Sequence, residues 1–86
     1  KIDLSIYLLA GYDINHADQN GDTWLHHAAR HSSVSMVNAL LAHGADPTIT
    51  NKQGKTPLQV VPWHRYNRPI KKLLRAHGGG RNRLGN

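Results

Sequence analysis

The chain repeats itself. Gly11-Tyr12-Asp13 returns as Gly44-Ala45-Asp46, and Gly21-Asp22-Thr23-Trp24-Leu25 returns as Gly54-Lys55-Thr56-Pro57-Leu58. Tyr7-Leu8 returns at the same offset as Leu40-Leu41, and again as Leu73-Leu74. A single offset shared by separate anchors decides the class of fold. A period of this length belongs to arrays in which one small unit buries its apolar face only by stacking on the next.

Each unit has the same grammar. A turn rich in Asp, Asn and Gly opens it (Asp18-Gln19-Asn20-Gly21, then Asn51-Lys52-Gln53-Gly54). A threonine follows in the position to cap a helix, and Pro57 suits the first helical position after Thr56. A short helix carries Leu25, Ala28 and Ala29, whose small side chains let a second helix approach closely. After Ser32-Ser33 that second helix carries Val34, Val37, Leu40 and Leu41 at spacings of three and four. Gly44 is placed to end it in the left-handed conformation.

The last unit departs from this. Val60-Val61-Pro62-Trp63-His64-Arg65-Tyr66-Asn67-Arg68-Pro69 puts a proline where the previous unit has Ala29. A proline there removes a backbone donor and collides with the preceding turn, so the helix is expected to end early or kink. A second helix is expected over about Arg68 to Ala76, with Ile70, Leu73 and Leu74 inward. Terminal units of an array are commonly atypical and polar.

With these residues in view the sequence resembles the ankyrin repeat family. Thr23-Trp24-Leu25-His26-His27-Ala28 matches the family's T-P-L-H-x-A signature with Trp in place of Pro. Thr56-Pro57-Leu58 keeps its first half, with Gln59 for His and Val61 for Ala. Ala39-Leu40-Leu41-Ala42-His43-Gly44-Ala45-Asp46 is similar to the ending of the family's second helix. The resemblance implies an all-α solenoid of stacked helix-turn-helix units with hairpin-like loops, about two and a half repeats long. It covers a partial repeat (1–17), a complete repeat (18–50) and a divergent last repeat (51–79), followed by a flexible basic tail (80–86). Ile2, Leu4, Ile6, Tyr7, Leu8 and Leu9 form a very apolar first helix, so upstream repeats or self-association are expected to cover it, and the chain reads as a piece of something longer.

Composition narrows the function. With no Cys among the 86 residues, disulfides and thiolate metal sites are excluded, which fits an intracellular setting, cytoplasm or nucleus. No apolar run is long enough to span a membrane. The formal net charge of +6 hides a split: residues 1–46 carry −3, whereas residues 47–86 hold nine bases (Lys52, Lys55, Arg65, Arg68, Lys71, Lys72, Arg75, Arg81, Arg83) and no acid. Such a half is either a solvated basic face or one that meets an acidic surface or nucleic acid.

Three of the seven histidines fall within Gly21–His31. His27 and His31 are four apart, a spacing that puts both on one helix face. A metal needs at least one further ligand, and with only His16 and His43 as candidates and no H-E-x-x-H or Cys/His pattern, no metal is expected. The resemblance gives His26 a folding role, tying its helix start to adjacent turns, and makes His27 a partly buried residue between units. No Ser-His-Asp arrangement, phosphate loop or Cys nucleophile is evident, and Gly78-Gly79-Gly80 follows a helix instead of opening one, so neither an enzyme nor a cofactor is expected in this segment.

The resemblance implies a protein-interaction module that grips a partner along the concave face, through turn tips and first helices. Carried onto this chain, those positions are Gln19, Asn20, Asp22, Arg30, His31 and His43, then Lys52, Gln53, Lys55, Trp63, His64 and Ala76. Trp63 stands one full period after Arg30, so the two are expected on one surface; it serves either as an interface anchor or as a cover for the core below Pro62. Trp24 is expected to pack on a neighbouring turn. The alternative function is nucleic-acid or anionic-surface binding through a basic patch of Arg65, Arg68, Lys71, Lys72 and Arg75.

Overall fold

The structure is a computed structural model that describes residues 10–78. Along that span run α1 (Trp24–Arg30), α2 (Val34–Ala42), α3 (Pro57–Val60), a single 3-10 turn (Arg65–Asn67) and α4 (Arg68–Ala76). No strand occurs among the described residues. The apolar helix read at residues 2–9 and the basic tail lie outside them.

The helices form two layers. α1 and α3, the first helices of successive units, pack side by side, and α2 and α4 back them. The core lies between the layers: Leu25, Ala29, Val37, Leu40, Ile70 and Leu74 are essentially sealed from solvent, with Ala28, Leu41, Ala45 and Val61 around them. A fully buried aliphatic side chain of this size contributes about 1.5–3 kcal/mol. The alanines Ala28 and Ala29 keep α1 close to α2, as the sequence pattern requires.

Helix ends follow the local chemistry. Thr23 caps α1 from an extended backbone, and Ser33 caps α2 through its hydroxyl, which accepts from Met36 N–H at 3.2 Å. Gly44 sits at φ 91° just past α2, and the Ala45 and Gly44 N–H groups reach back to the Leu40 and Leu41 carbonyls at 2.9 and 3.1 Å. This paired closure needs a left-handed residue, hence the glycine. The same closure ends α1, but there Ser32 takes the left-handed position, at φ 58°.

The proline disruption is present. α3 stops at Val60, and Val61 turns to extended backbone ahead of Pro62. α4 spans Arg68–Ala76 with Pro69 in its first turn, Ile70 and Leu74 buried and Leu73 half-buried. Val34, which shares the apolar spacing of Val37, Leu40 and Leu41, is 40% exposed. Helical side chains lean toward the N-terminus, so at the first position of α2 the valine overhangs the helix end instead of lying on a partner.

Candidate functional site

The two turns are copies, atom for atom. Asp18 Oδ1 accepts from the backbone N–H groups of Asn20 and Asp22, at 2.9 and 3.0 Å. Asn51 Oδ1, at the equivalent position of the next repeat, accepts from those of Gln53 and Lys55, also at 2.9 and 3.0 Å. A short carboxylate or amide side chain is what such a turn needs. The second turn then docks on the first. Lys52 N–H donates to the Asn20 carbonyl at 3.1 Å, and Asn51 Nδ2–H donates to Asp22 Oδ1 at 2.9 Å.

Asp22 is the centre of this joint. It is buried, and its other oxygen receives Arg30 Nη1–H at 2.9 Å. The Arg30 guanidinium first, and the Asn51 amide with it, hold the Asp22 carboxyl below its ordinary value against the opposing effect of burial. Next to it, Asp18 Oδ2 accepts from His27 Nε2–H at 2.8 Å, and this bond is the main reason the Asp18 carboxyl also lies below its ordinary value. Asp18, Asp22 and His27 bring their donor atoms within 4.8 Å of one another. Every oxygen of that set is already engaged by an N–H, and the Arg30 cation shares the space, so the cluster reads as a hydrogen-bonded joint.

Above the joint lies a cavity of about 320 Å³ lined by Asn20, Asp22, Arg30, Asn51, Lys52 and Gln53. Five of these six were marked in the sequence. Asn51 was not, although it is the counterpart of Asp18 one period on, and its role was readable from that offset.

The other marked residues separate. His31 lines a second, mostly apolar depression of about 400 Å³ with Trp24, His27, Ala28, Ser33 and Met36. Trp24 is 41% exposed there. His43 caps α2: its Nδ1–H donates to the Ala39 carbonyl at 2.8 Å. Gln19, Lys55, Lys72 and Ala76 are exposed and line none of these cavities.

Trp63 and His64 belong to a third and larger cavity, of about 950 Å³, shared with Arg65, Tyr66, Arg68, Lys71 and Arg75. Trp63 is 91% exposed, so it does not cover the core, and it lines a different cavity from Arg30. The irregular run after Pro62 carries it away from the first-helix register that the repeat offset assumes. Tyr66 escaped the sequence reading; its ring pairs with His64 at a centroid distance of 4.3 Å.

His26 does what the resemblance implies. Its Nδ1 accepts from Thr23 N–H at 3.0 Å, and its Nε2–H donates to the Lys55 carbonyl at 2.8 Å, tying its helix to the next unit.

Comparison with known proteins places this geometry. A family model for ankyrin repeats in many copies matches residues 7–61. The regulatory protein SWI6 of Saccharomyces cerevisiae is 42% identical over 69 residues, 80% of this chain and 8% of that protein. The ankyrin repeat and LEM domain-containing protein 1 homolog of Caenorhabditis elegans is 36% identical over 77 residues, 87% of this chain and 10% of that one. The chain therefore spans a tenth or less of these relatives. Among solved structures, the ankyrin repeat domain of Bcl-3 superposes with a TM-score of 0.72 at 28% identity, covering 84% of this chain and 30% of that one. The repeated turns, the His26 tie, the two helical layers and these matches agree: the chain belongs to the ankyrin repeat family.

Proposed function

We propose that this segment is a protein-binding module without catalysis of its own, and that it meets its partner through the cavity above the turn joint. Ankyrin repeats in general serve protein–protein interaction, and the fold is typically non-enzymatic. No helix among the described residues is long and apolar enough to cross a membrane.

The observation that carries the choice of face is the Asp22 joint. Arg30 and Asn51 are both bonded to one buried carboxylate, and the backbone N–H groups of Lys52 and Gln53 are tied to Asn20 and Asn51, so the rim is ordered while the Lys52 and Gln53 side chains stay exposed. A surface ordered before binding loses less entropy when a partner arrives. Rim polarity and an arginine suit a specific protein surface. The reading places the module inside the cell, in cytoplasm or nucleus, where a chain without cysteine is indifferent to reducing conditions.

The test is site-specific photo-crosslinking in the intact protein. A crosslinker at Gln53, on the rim, is expected to capture a discrete partner, and Lys52→Ala with Arg30→Ala is expected to abolish that capture. A crosslinker at Asn38, exposed on α2, is expected to capture nothing in common with it. Equal capture from both positions, or capture indifferent to the two substitutions, overturns the choice of face.

A further inference from the structure

We propose that the cavity of the last repeat binds single-stranded nucleic acid, with Trp63 and the His64–Tyr66 pair stacking on bases and Arg65, Arg68, Lys71 and Arg75 meeting phosphates. This cavity is separate from the turn joint, so the inference stands or falls apart from the protein-binding reading.

The first argument is the rings. Trp63 is 91% exposed and Tyr66 77% exposed, although both carry large apolar faces that water solvates poorly. They line one cavity, together with His64. His64 and Tyr66 stack on each other, 30° from parallel at 4.3 Å between centroids, and Tyr66 keeps most of its surface open to solvent. His64 Nδ1 accepts from Tyr66 N–H at 3.1 Å, so the pair is oriented by the backbone. The loop that displays all three is closed beneath them: Asn67 is buried, and its Nδ2–H donates to the Pro62 carbonyl at 2.7 Å. The stacked pair and the loop that carries it are therefore in place before any ligand arrives.

The second argument is charge. Four cations surround the rings, and none of them is ion-paired with a carboxylate among the described residues. No acid occurs anywhere in residues 47–86. A groove of unpaired cations interleaved with exposed rings is the combination that binds single strands: phosphates follow the charge while unpaired bases stack, with little regard to sequence. An acidic peptide uses the cations but leaves the rings in water. A membrane surface asks for a convex apolar tip with aliphatic company, whereas these rings line a concavity and their neighbours are cationic. A duplex keeps its bases stacked inside, out of reach of the exposed rings.

The experiment is fluorescence anisotropy of the intact protein with a labelled oligo-U of about 12 nucleotides, within the site sizes such grooves cover. The comparison probes are a blunt duplex of equal length, an oligoglutamate peptide, and phosphatidylcholine–phosphatidylserine vesicles. Oligo-U is expected to bind tightest and to quench tryptophan emission. Trp63→Ala is expected to weaken it by roughly tenfold and remove the quenching, while Trp63→Phe, which keeps a ring, retains most of the affinity. Lys71→Gln with Arg75→Gln is expected to flatten the dependence of log K on log salt by about 1.4. Because Trp63 is almost wholly exposed, the folded circular dichroism of Trp63→Ala is expected to be unchanged; Tyr66→Ala gives an independent second reading. Equal binding of oligo-U by the wild type, Trp63→Ala and Tyr66→Ala overturns the proposal. So does binding of the duplex, the peptide or the vesicles as tightly as oligo-U.

Discussion

His26 and Lys55, 29 residues apart, are joined by one hydrogen bond, ring nitrogen to carbonyl oxygen, at 2.8 Å. The other ring nitrogen caps Thr23 N–H of its own helix. A single buried imidazole thus closes one repeat and fastens it to the next. The equivalent position in the following repeat is Gln59, which caps Thr56 N–H at 2.9 Å but makes no corresponding bond to a later carbonyl among the described residues. His26→Gln is therefore expected to keep the cap and lose the tie, lowering stability by about 1–2 kcal/mol, as for one unsatisfied buried acceptor. His26→Ala loses both and leaves a hole, and is expected to cost about 3–4 kcal/mol. Urea melts of the two variants check the order; equal losses refute the division of labour between the two nitrogens.

Gly21 and Gly54 form a matched pair with unequal neighbours. Both have positive φ, 77° and 76°. A Cβ on Gly21 meets Lys52 N at 2.7 Å, whereas one on Gly54 meets nothing within 4 Å. The Gly21 neighbour is backbone, held by its bond to the Asn20 carbonyl, and has no room to give. Gly54→Ala is expected to cost about 1 kcal/mol, the strain of a left-handed alanine. Gly21→Ala adds separation of the stacked turns and is expected to cost at least about 2 kcal/mol more, in line with other core overpacking. Thermal melts that fall equally in the two variants refute the stacking argument.

Much of this was legible in the sequence because it repeats. The repeat offset supplies the helix pairs, the turn glycines and the threonine caps, and Pro62 announces the early end of α3. Five of six residues around the turn joint followed from family position alone. Part of what escaped, the placement of Trp63 and the whole of Tyr66, lay where periodicity fails. Trp63 and Tyr66 stand in the irregular segment after Pro62, and there no offset says which way a side chain points. Val34 shares the apolar spacing of Val37, Leu40 and Leu41 yet is exposed, because spacing describes a helix face and is blind to the helix end. Asn51 was passed over as ordinary turn chemistry, yet it both shapes its own turn and reaches Asp22 in the turn before.

Acid is expected to loosen the joint between the turns. The carboxyls of Asp22 and Asp18 lie below their ordinary value of 3.8, held there chiefly by Arg30 and by His27 respectively. The unfolded chain takes up these protons first, as pH falls through about 3.8; the folded chain resists until lower pH. The contribution is thus complete above that value and is lost as pH falls toward the lower folded values. Melting temperature is expected to be flat above about pH 5 and to drop steeply below about pH 4. Asp22→Asn keeps the shape but removes the charge, so it is expected to lower stability at neutral pH and to flatten the acid limb. An acid limb as steep in Asp22→Asn as in the wild type refutes the assignment to Asp22.

Ser32 occupies a position that favours glycine. It follows α1 at φ 58°, the only non-glycine residue with positive φ among those described, while Gly44 takes the corresponding place after α2. Both positions serve the same closure: Ser33 and Ser32 N–H return to the Ala28 and Ala29 carbonyls at 3.0 and 3.1 Å. A side chain in the left-handed region costs about 1–2 kcal/mol, part of which glycine gives back through the greater freedom of the unfolded chain. Ser32 is exposed, and among the described residues its hydroxyl makes no hydrogen bond that glycine would forfeit. Ser32→Gly is therefore expected to stabilise the fold by about 0.5–1 kcal/mol, and Ser32→Val, whose branched Cβ tolerates this conformation worst, to destabilise it by more than that. Urea midpoints of the two variants decide it: a Gly variant less stable than wild type means that the serine has a role the backbone angle does not explain.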